Sequence, residues 1–179
     1  MTTHHYDIAV IGGGTAGVCA AVQAARAGAR TLLVERSSRL GGTIVNSGIP
    51  APGLFHAFGR QVIAGIGWDL VAAAVAEGGG TMPDFTDLSR GIHAHQPVID
   101  PYLYAALCDE AVLGCGVDLL LHTMLAGVTA RAEGWGLTLC GKDGLHEVAA
   151  TEVIDCTGDA SAMTLAGAPV VKPAECQPA

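Results

Sequence analysis

Aromatic side chains are scarce: three Phe, three Tyr and two Trp in 179 residues. Charge is scarce too, at 15% of the chain, while 50% of the residues are hydrophobic. A core without many rings is filled by Ala, Val and Leu, which suits a closely packed α/β protein of a single domain. Basic excess is absent. The formal charge of −8 and the isoelectric point near 5.2 give no basic face for nucleic acid. Long hydrophobic runs are absent as well; the most apolar stretch, Ile63 to Ala76, carries Asp69 and glycines, so no membrane span is expected. The first residues, Met1 to His5, contain no charged-then-apolar leader, and a cytoplasmic location is the expectation. Of the six cysteines (Cys19, Cys108, Cys115, Cys140, Cys156 and Cys176), no two form a C-x-x-C pair. They are read as reduced thiols serving as small buried hydrophobes, with Cys108 and Cys115 on one helix face.

The residues that are present in force are glycines, 25 of them. Their most telling arrangement follows the apolar run Tyr6 to Ile11. There Gly12-Gly13-Gly14-Thr15-Ala16-Gly17 fits G-x-G-x-x-G, an Ala-rich helical stretch runs on to Gly28, and a second apolar run, Thr31 to Val34, ends on Glu35. Strand, glycine turn, helix, strand and acid in that order predict a phosphate-binding βαβ unit. Gly12 permits the sharp turn. Gly14, without a Cβ, lets a pyrophosphate approach the backbone, and Gly17 lets the helix pack close to the strand. The N–H groups and positive dipole end of the helix face the phosphates. Glu35 is placed to accept hydrogen bonds from two ribose hydroxyls, which favours FAD or NAD over NADP. Arg36 beside it is a further candidate contact.

Beyond this unit, Arg36 to Arg60 is rich in turn residues. Phe55 to Ala76 reads as one or two helices, from the spacing of Ile63, Ile66, Leu70, Val71 and Val75. Thr81 to Pro97 reads as loop or short helix. Asp100-Pro101 opens another helix with a side-chain cap. Val117 to Leu121 and Met124 to Ala130 read as strands. Leu137 to Cys140 and His146 to Ala149 read as arms of a small antiparallel meander with turns at Gly134-Trp135-Gly136 and Lys142-Asp143-Gly144. Glu152 to Cys156 is a final strand, followed by Thr157-Gly158-Asp159 and a short helix. The segment from Pro169 to Ala179 reads as irregular. The expected fold is therefore α/β: a Rossmann-like parallel sheet with an inserted small antiparallel β-meander.

Four segments give the chain a specific resemblance: Asp7 to Gly17 with Glu35; Leu40-Gly41-Gly42-Thr43 with Ser47-Gly48; Gly116 to Thr123; and Val153 to Ala160. On these it resembles the N-terminal part of FAD-dependent oxidoreductases of the glutathione-reductase-like class, nearest to those related to fumarate reductase flavoproteins. The resemblance implies FAD as cofactor and hydride transfer between a small-molecule substrate and the flavin; no His or Cys of the chain sits in an obvious covalent-flavin motif, so the FAD is expected to be non-covalent. It implies that Gly41, Gly42 and Thr43 run along the pyrophosphate, where paired glycines offer N–H donors. It implies that Leu125 gives backbone contacts to the adenine, and that Thr157, Gly158 and Asp159 close the site beside the flavin's linker.

The same resemblance exposes a gap. Proteins of that class are usually well over twice this length and return to the first fold after a substrate domain. Residues 1–179 are thus expected to be a FAD-binding domain that is incomplete, with the rest supplied by a missing C-terminal half or a partner chain, and with some apolar surface left exposed. No catalytic residue is assigned; His56, His93 and His95 are candidate proton donors and Arg60 a candidate anion anchor. Three alternatives stand beside the flavoenzyme: an NAD-binding dehydrogenase domain, a catalytically inactive dinucleotide-binding fragment, and a thiazole-synthase-like protein, whose reactive Cys and His are not found.

Overall fold

The structure is a computed structural model that describes residues 4–169. It begins with strand β1 (His4–Ile11), helix α1 (Thr15–Arg26) and strand β2 (Thr31–Val34). All four residues of β2 are buried, as expected of a parallel strand covered on both faces. Alternate side chains go to opposite faces of the sheet. Val10 and Leu33 join the core beneath the helices, whereas Ala9, Ile11, Leu32 and Val34 join a second core on the other side.

A one-turn helix α2 (Thr43–Asn46) follows, then two short strands, β3 (His56–Ala57) and β4 (Arg60–Gln61), paired only with each other. This is where the structure departs from the helix expected over Phe55 to Ala76. Phe58 and Gly59 both take left-handed backbone, with φ of 52° and 71°, which makes a tight hairpin of the kind two such residues favour. Only after Gly65, at φ 86°, does helix α3 (Ile66–Glu77) begin. A single 3-10 turn spans Ile92–His95. Helix α4 (Pro101–Gly114) opens as expected: the Asp100 carboxylate accepts the N–H groups of Tyr102 and Leu103 at 2.7 and 3.0 Å.

The chain then forms β5 (Asp118–Leu120), β6 (Met124–Ala130), β7 (Trp135–Gly141), β8 (Gly144–Asp155) and a short helix α5 (Ser161–Leu165). The sheet order is β5-β2-β1-β8-β7-β6, parallel from β5 to β8 and antiparallel from β8 to β6. The last meander arm and the final strand, expected as two elements, are one. No Gly or Pro interrupts His146 to Asp155. The first half of β8 pairs antiparallel with β7 (Leu137 opposite Val148), and its second half runs parallel with β1 (Val10 opposite Ile154). The meander therefore extends the parallel sheet.

Helices α1, α3 and α4 cover one face through Val18, Val22, Val71, Val75, Leu107 and Cys108. On the other face Leu137, Leu139 and Val148 of the meander pack with Tyr6, Ile11 and Ala162. Burial of the thiols is uneven: Cys108 is fully covered, Cys19, Cys115 and Cys156 partly, and Cys140 is exposed. The last expectation, an irregular segment to Ala179 with Cys176 in it, lies outside the described residues from 170 onward. No described helix is long and apolar enough to cross a membrane.

Candidate functional site

A cleft of about 380 Å³ opens where the parallel strands β1, β2 and β8 end. Such carboxyl ends are where open α/β sheets bind ligands. Gly12, Gly14, Thr15 and Ala16 line it from the glycine turn. Glu35 and Arg36 line it from the end of β2, and Gly42 and Thr43 from the start of α2. Leu125 of β6 and the Thr157-Gly158-Asp159 segment complete it.

Gly13, Gly17 and Gly41 stand behind this wall. A Cβ on Gly17 would overlap the Gly12 carbonyl, so the helix could not sit as close to the strand. A Cβ on Gly13 would strike Leu40 and the Glu35 side chain, a packing demand the spacing alone did not reveal. Gly41 faces Val45 and Tyr104. Gly12 combines φ of 100° with close approach to β8, where an added Cβ would lie 2.7 Å from the Cys156 carbonyl oxygen.

Backbone hydrogen bonds tie the separate segments together. Gly41 N–H donates to the Gly13 carbonyl at 2.9 Å, Thr123 N–H to the Glu35 carbonyl at 3.0 Å, and Cys156 N–H to the Ile11 carbonyl at 2.8 Å. The Glu35 carboxylate is itself held, accepting Gly13 N–H at 2.6 Å and Ser37 N–H at 2.7 Å. Asp155 shapes the far wall. It accepts the Thr157 N–H and hydroxyl at 2.9 and 2.7 Å and the Met163 N–H at 2.9 Å. Thr157 Oγ1 in turn accepts the Ser161 N–H at 2.8 Å. Burial alone would raise the Asp155 pKa, but the hydrogen bonds from Met163 and Thr157 outweigh it and hold the carboxyl below its ordinary range. Burial, and then the Asp155 charge, push the neighbouring Cys156 thiol up, so it is no thiolate.

A scan of family models matches residues 7–178 to the FAD dependent oxidoreductase family. The chain belongs to this family. FAD is its cofactor. The chain is 31% identical over 173 residues to a digeranylgeranylglycerophospholipid reductase 2 of Methanopyrus kandleri, covering 95% of this chain and 42% of that protein. It is 48% identical over 65 residues to a soluble pyridine nucleotide transhydrogenase of a Marinomonas species, covering 36% of this chain and 14% of the relative. Among solved structures, a flavocytochrome c3 fumarate reductase superposes with a TM-score of 0.55 at 21% identity, over 85% of this chain and 33% of that one, a likeness of fold. The chain thus spans less than half the length of these relatives.

The cleft of this FAD-dependent oxidoreductase chain fits the cofactor's chemistry. Gly14 precedes α1 without any side-chain cap, so no protein group competes for the helix's first N–H groups. A Cβ on Gly14 would meet only the Gly42 Cα, at 3.8 Å, and so points into open space where a pyrophosphate would otherwise lie against bare backbone.

Several cleft residues were not anticipated: Asn46, Ser47, Thr123, Met124, Cys156 and Ser161. Most arrive by tertiary pairing. The Asp155-x-Thr157 spacing was one local signal available, since an Asp accepting from a Thr two residues on is a familiar turn. The candidate proton donors lie elsewhere. His56 stacks on Phe85 at 3.7 Å and 4°, and burial, with His95, pushes its pKa down. His95 Nε2 lies 3.0 Å from the Asp87 carbonyl, and His93 Nδ1 lies 3.2 Å from Gln96 Oε1. None of these, nor the exposed Arg60, lines the cleft.

Proposed function

We propose that this chain is the FAD-holding part of an oxidoreductase that passes a hydride between a small-molecule substrate and the flavin, and that its described residues act as one FAD-binding domain. The observation that carries this reading is the convergence of four distant segments on one cleft: the Gly12 turn, Glu35, Gly42-Thr43, and Thr157 to Asp159. In it, Gly12, Gly14 and the first N–H groups of α1, through Thr15 and Ala16, hold the pyrophosphate. Gly42 and Thr43 flank it. Glu35 accepts from the ribose hydroxyls, with Arg36 beside it and Leu125 against the adenine. Gly13, Gly17 and Gly41 act by packing. Thr157, Gly158 and Asp159 hold the linker.

Bound flavin supplies the hydride chemistry. The chain's own groups orient it and exclude water on the sheet side. Relatives more than twice as long support the reading that further polypeptide, in the same or a partner chain, completes the substrate side. The free thiols among the described residues suit a reducing compartment such as the cytoplasm.

The test is thermal stability with FAD and with NAD. Free FAD at a hundredfold over its Kd should stabilise the chain by about 2.7 kcal/mol. NAD should not. Stabilisation by NAD alone would point to a dehydrogenase domain instead, and no response to either would point to a fragment that does not bind.

A further inference from the structure

Ser37 stands in the loop between β2 and α2 and does not line the cleft. Each of its polar groups nevertheless ends on a different wall of that cleft. Its N–H donates to the Glu35 carboxylate at 2.7 Å. Its carbonyl accepts the His122 N–H at 3.0 Å, directly before Thr123, Met124 and Leu125. His122 takes left-handed backbone there, with φ of 52°, which a non-glycine residue keeps when its surroundings fix it. The Ser37 hydroxyl donates to the Arg39 carbonyl at 2.7 Å and accepts from Asn46 Nδ2 at 3.2 Å. These roles use the hydroxyl's single hydrogen: the Arg39 carbonyl can only accept, so Asn46 must turn its NH2 toward Ser37. Asn46 is the last residue of α2 and lines the cleft with Gly42 and Thr43.

We infer that Ser37 is a positioning residue for the pyrophosphate end of the cofactor: without reaching the cleft, its hydroxyl fixes Asn46, and with it α2, against the Glu35 and Thr123 to Leu125 walls. The inference rests on the cleft being the FAD site. A one-turn helix is too short to hold itself. The Gly41 N–H ties the start of α2 to the Gly13 carbonyl, and the Asn46–Ser37 bond ties its end. Both hydroxyl bonds are exposed to water. Such bonds strengthen as water leaves, so filling the cleft beside Asn46 strengthens the tie, and the tie in turn favours the filled state. The hydroxyl serves α2 alone. The groups that serve Glu35 and His122 belong to the backbone and survive any substitution other than proline.

The experiment is a flavin-fluorescence titration of the chain with FAD, with ADP and AMP as competitors. Ser37→Ala should weaken FAD and ADP alike, roughly three- to tenfold, as loss of one hydrogen bond does. AMP, which lacks the second phosphate, should lose about twofold or less. Ser37→Thr keeps the hydroxyl and should restore the parent affinity. In an Asn46→Ala background, Ser37→Ala should weaken FAD no further, because the two residues act through one bond. A merely structural role would instead lower the melting temperature of the FAD-free chain and weaken all three ligands together. Ser37→Cys, whose sulfur is a poor acceptor, serves if Ser37→Ala does not fold. Failure of Ser37→Thr to rescue, additive losses with Asn46→Ala, or AMP weakened as much as ADP would overturn the positioning role. Failure of the parent chain to bind FAD would overturn the cleft reading and this one with it; parent binding that Ser37→Ala leaves intact would overturn this one alone.

Discussion

The Glu35 carboxylate accepts the Gly13 N–H at 2.6 Å, joining the end of β2 to the turn that follows β1. Its other oxygen takes the Ser37 N–H at 2.7 Å. Glu35 is therefore both a wall of the cleft and a strut beneath it. Each carboxylate oxygen keeps a second acceptor site for a ribose hydroxyl. Glu35→Ala should cost about 1–3 kcal/mol of stability through the unpaired N–H groups, besides weakening FAD. Glu35→Gln keeps an acceptor and should lose less stability while still losing affinity. Denaturation and FAD titration of the two variants separate the roles; an Ala variant as stable as the parent would remove the strut.

The glycines divide by what stands opposite them. Gly14→Ala places a methyl in open space 3.8 Å from Gly42 Cα, so the fold should survive and FAD affinity should fall. A tenfold loss corresponds to about 1.4 kcal/mol. Gly17→Ala forces the methyl onto the Gly12 carbonyl and should instead lower the melting temperature whether or not FAD is present. Circular dichroism melts of both variants check this. If Gly14→Ala unfolds the chain and Gly17→Ala does not, the assignment of the two glycines is reversed.

The Gly12 to Gly17 turn and Glu35 were legible in the sequence because their relation is local: one turn, one helix, one returning strand. The Thr157-Gly158-Asp159 segment was legible because it follows directly on a strand. What stayed hidden depended on distant pairing. The lack of Gly or Pro between His146 and Asp155 permits one strand there, but it is β7 and β1, pairing from either side, that dictate it. Ile63 and Ile66 keep helical spacing, but Phe58, Gly59 and Gly65 hold left-handed backbone that no helix admits, and so the hairpin wins. Thr123 reaches the cleft because its N–H bonds to Glu35, a contact invisible to periodicity.

The thiols should react in order of exposure. Burial pushes the Cys108 pKa up to about 12, while Cys140 stands at the surface of β7. Thiolate is the reactive form. A maleimide at neutral pH should modify Cys140 well before Cys108 in the native chain, as peptide mapping of a time course would show. Early labelling of Cys108 would mean that α4 opens readily.

Asp155 makes the acid limb of stability informative. Its folded pKa lies below the ordinary carboxylate value, because the Met163 and Thr157 hydrogen bonds outweigh burial. The ionised form is thus favoured by folding. Its contribution is fully present above the unfolded pKa of about 3.9 and is lost as pH falls through the lower folded value. Asp155→Asn removes the charge and should destabilise the chain at neutral pH, where three donors lose a charged acceptor. The gap between parent and variant should then narrow below about pH 4. Because other carboxylates titrate identically in both proteins, their effects cancel in the difference. Urea unfolding of the pair across this pH range gives the gap directly. A gap that stays constant with pH would mean that Asp155 holds the Thr157 to Ser161 turn by shape and not by charge.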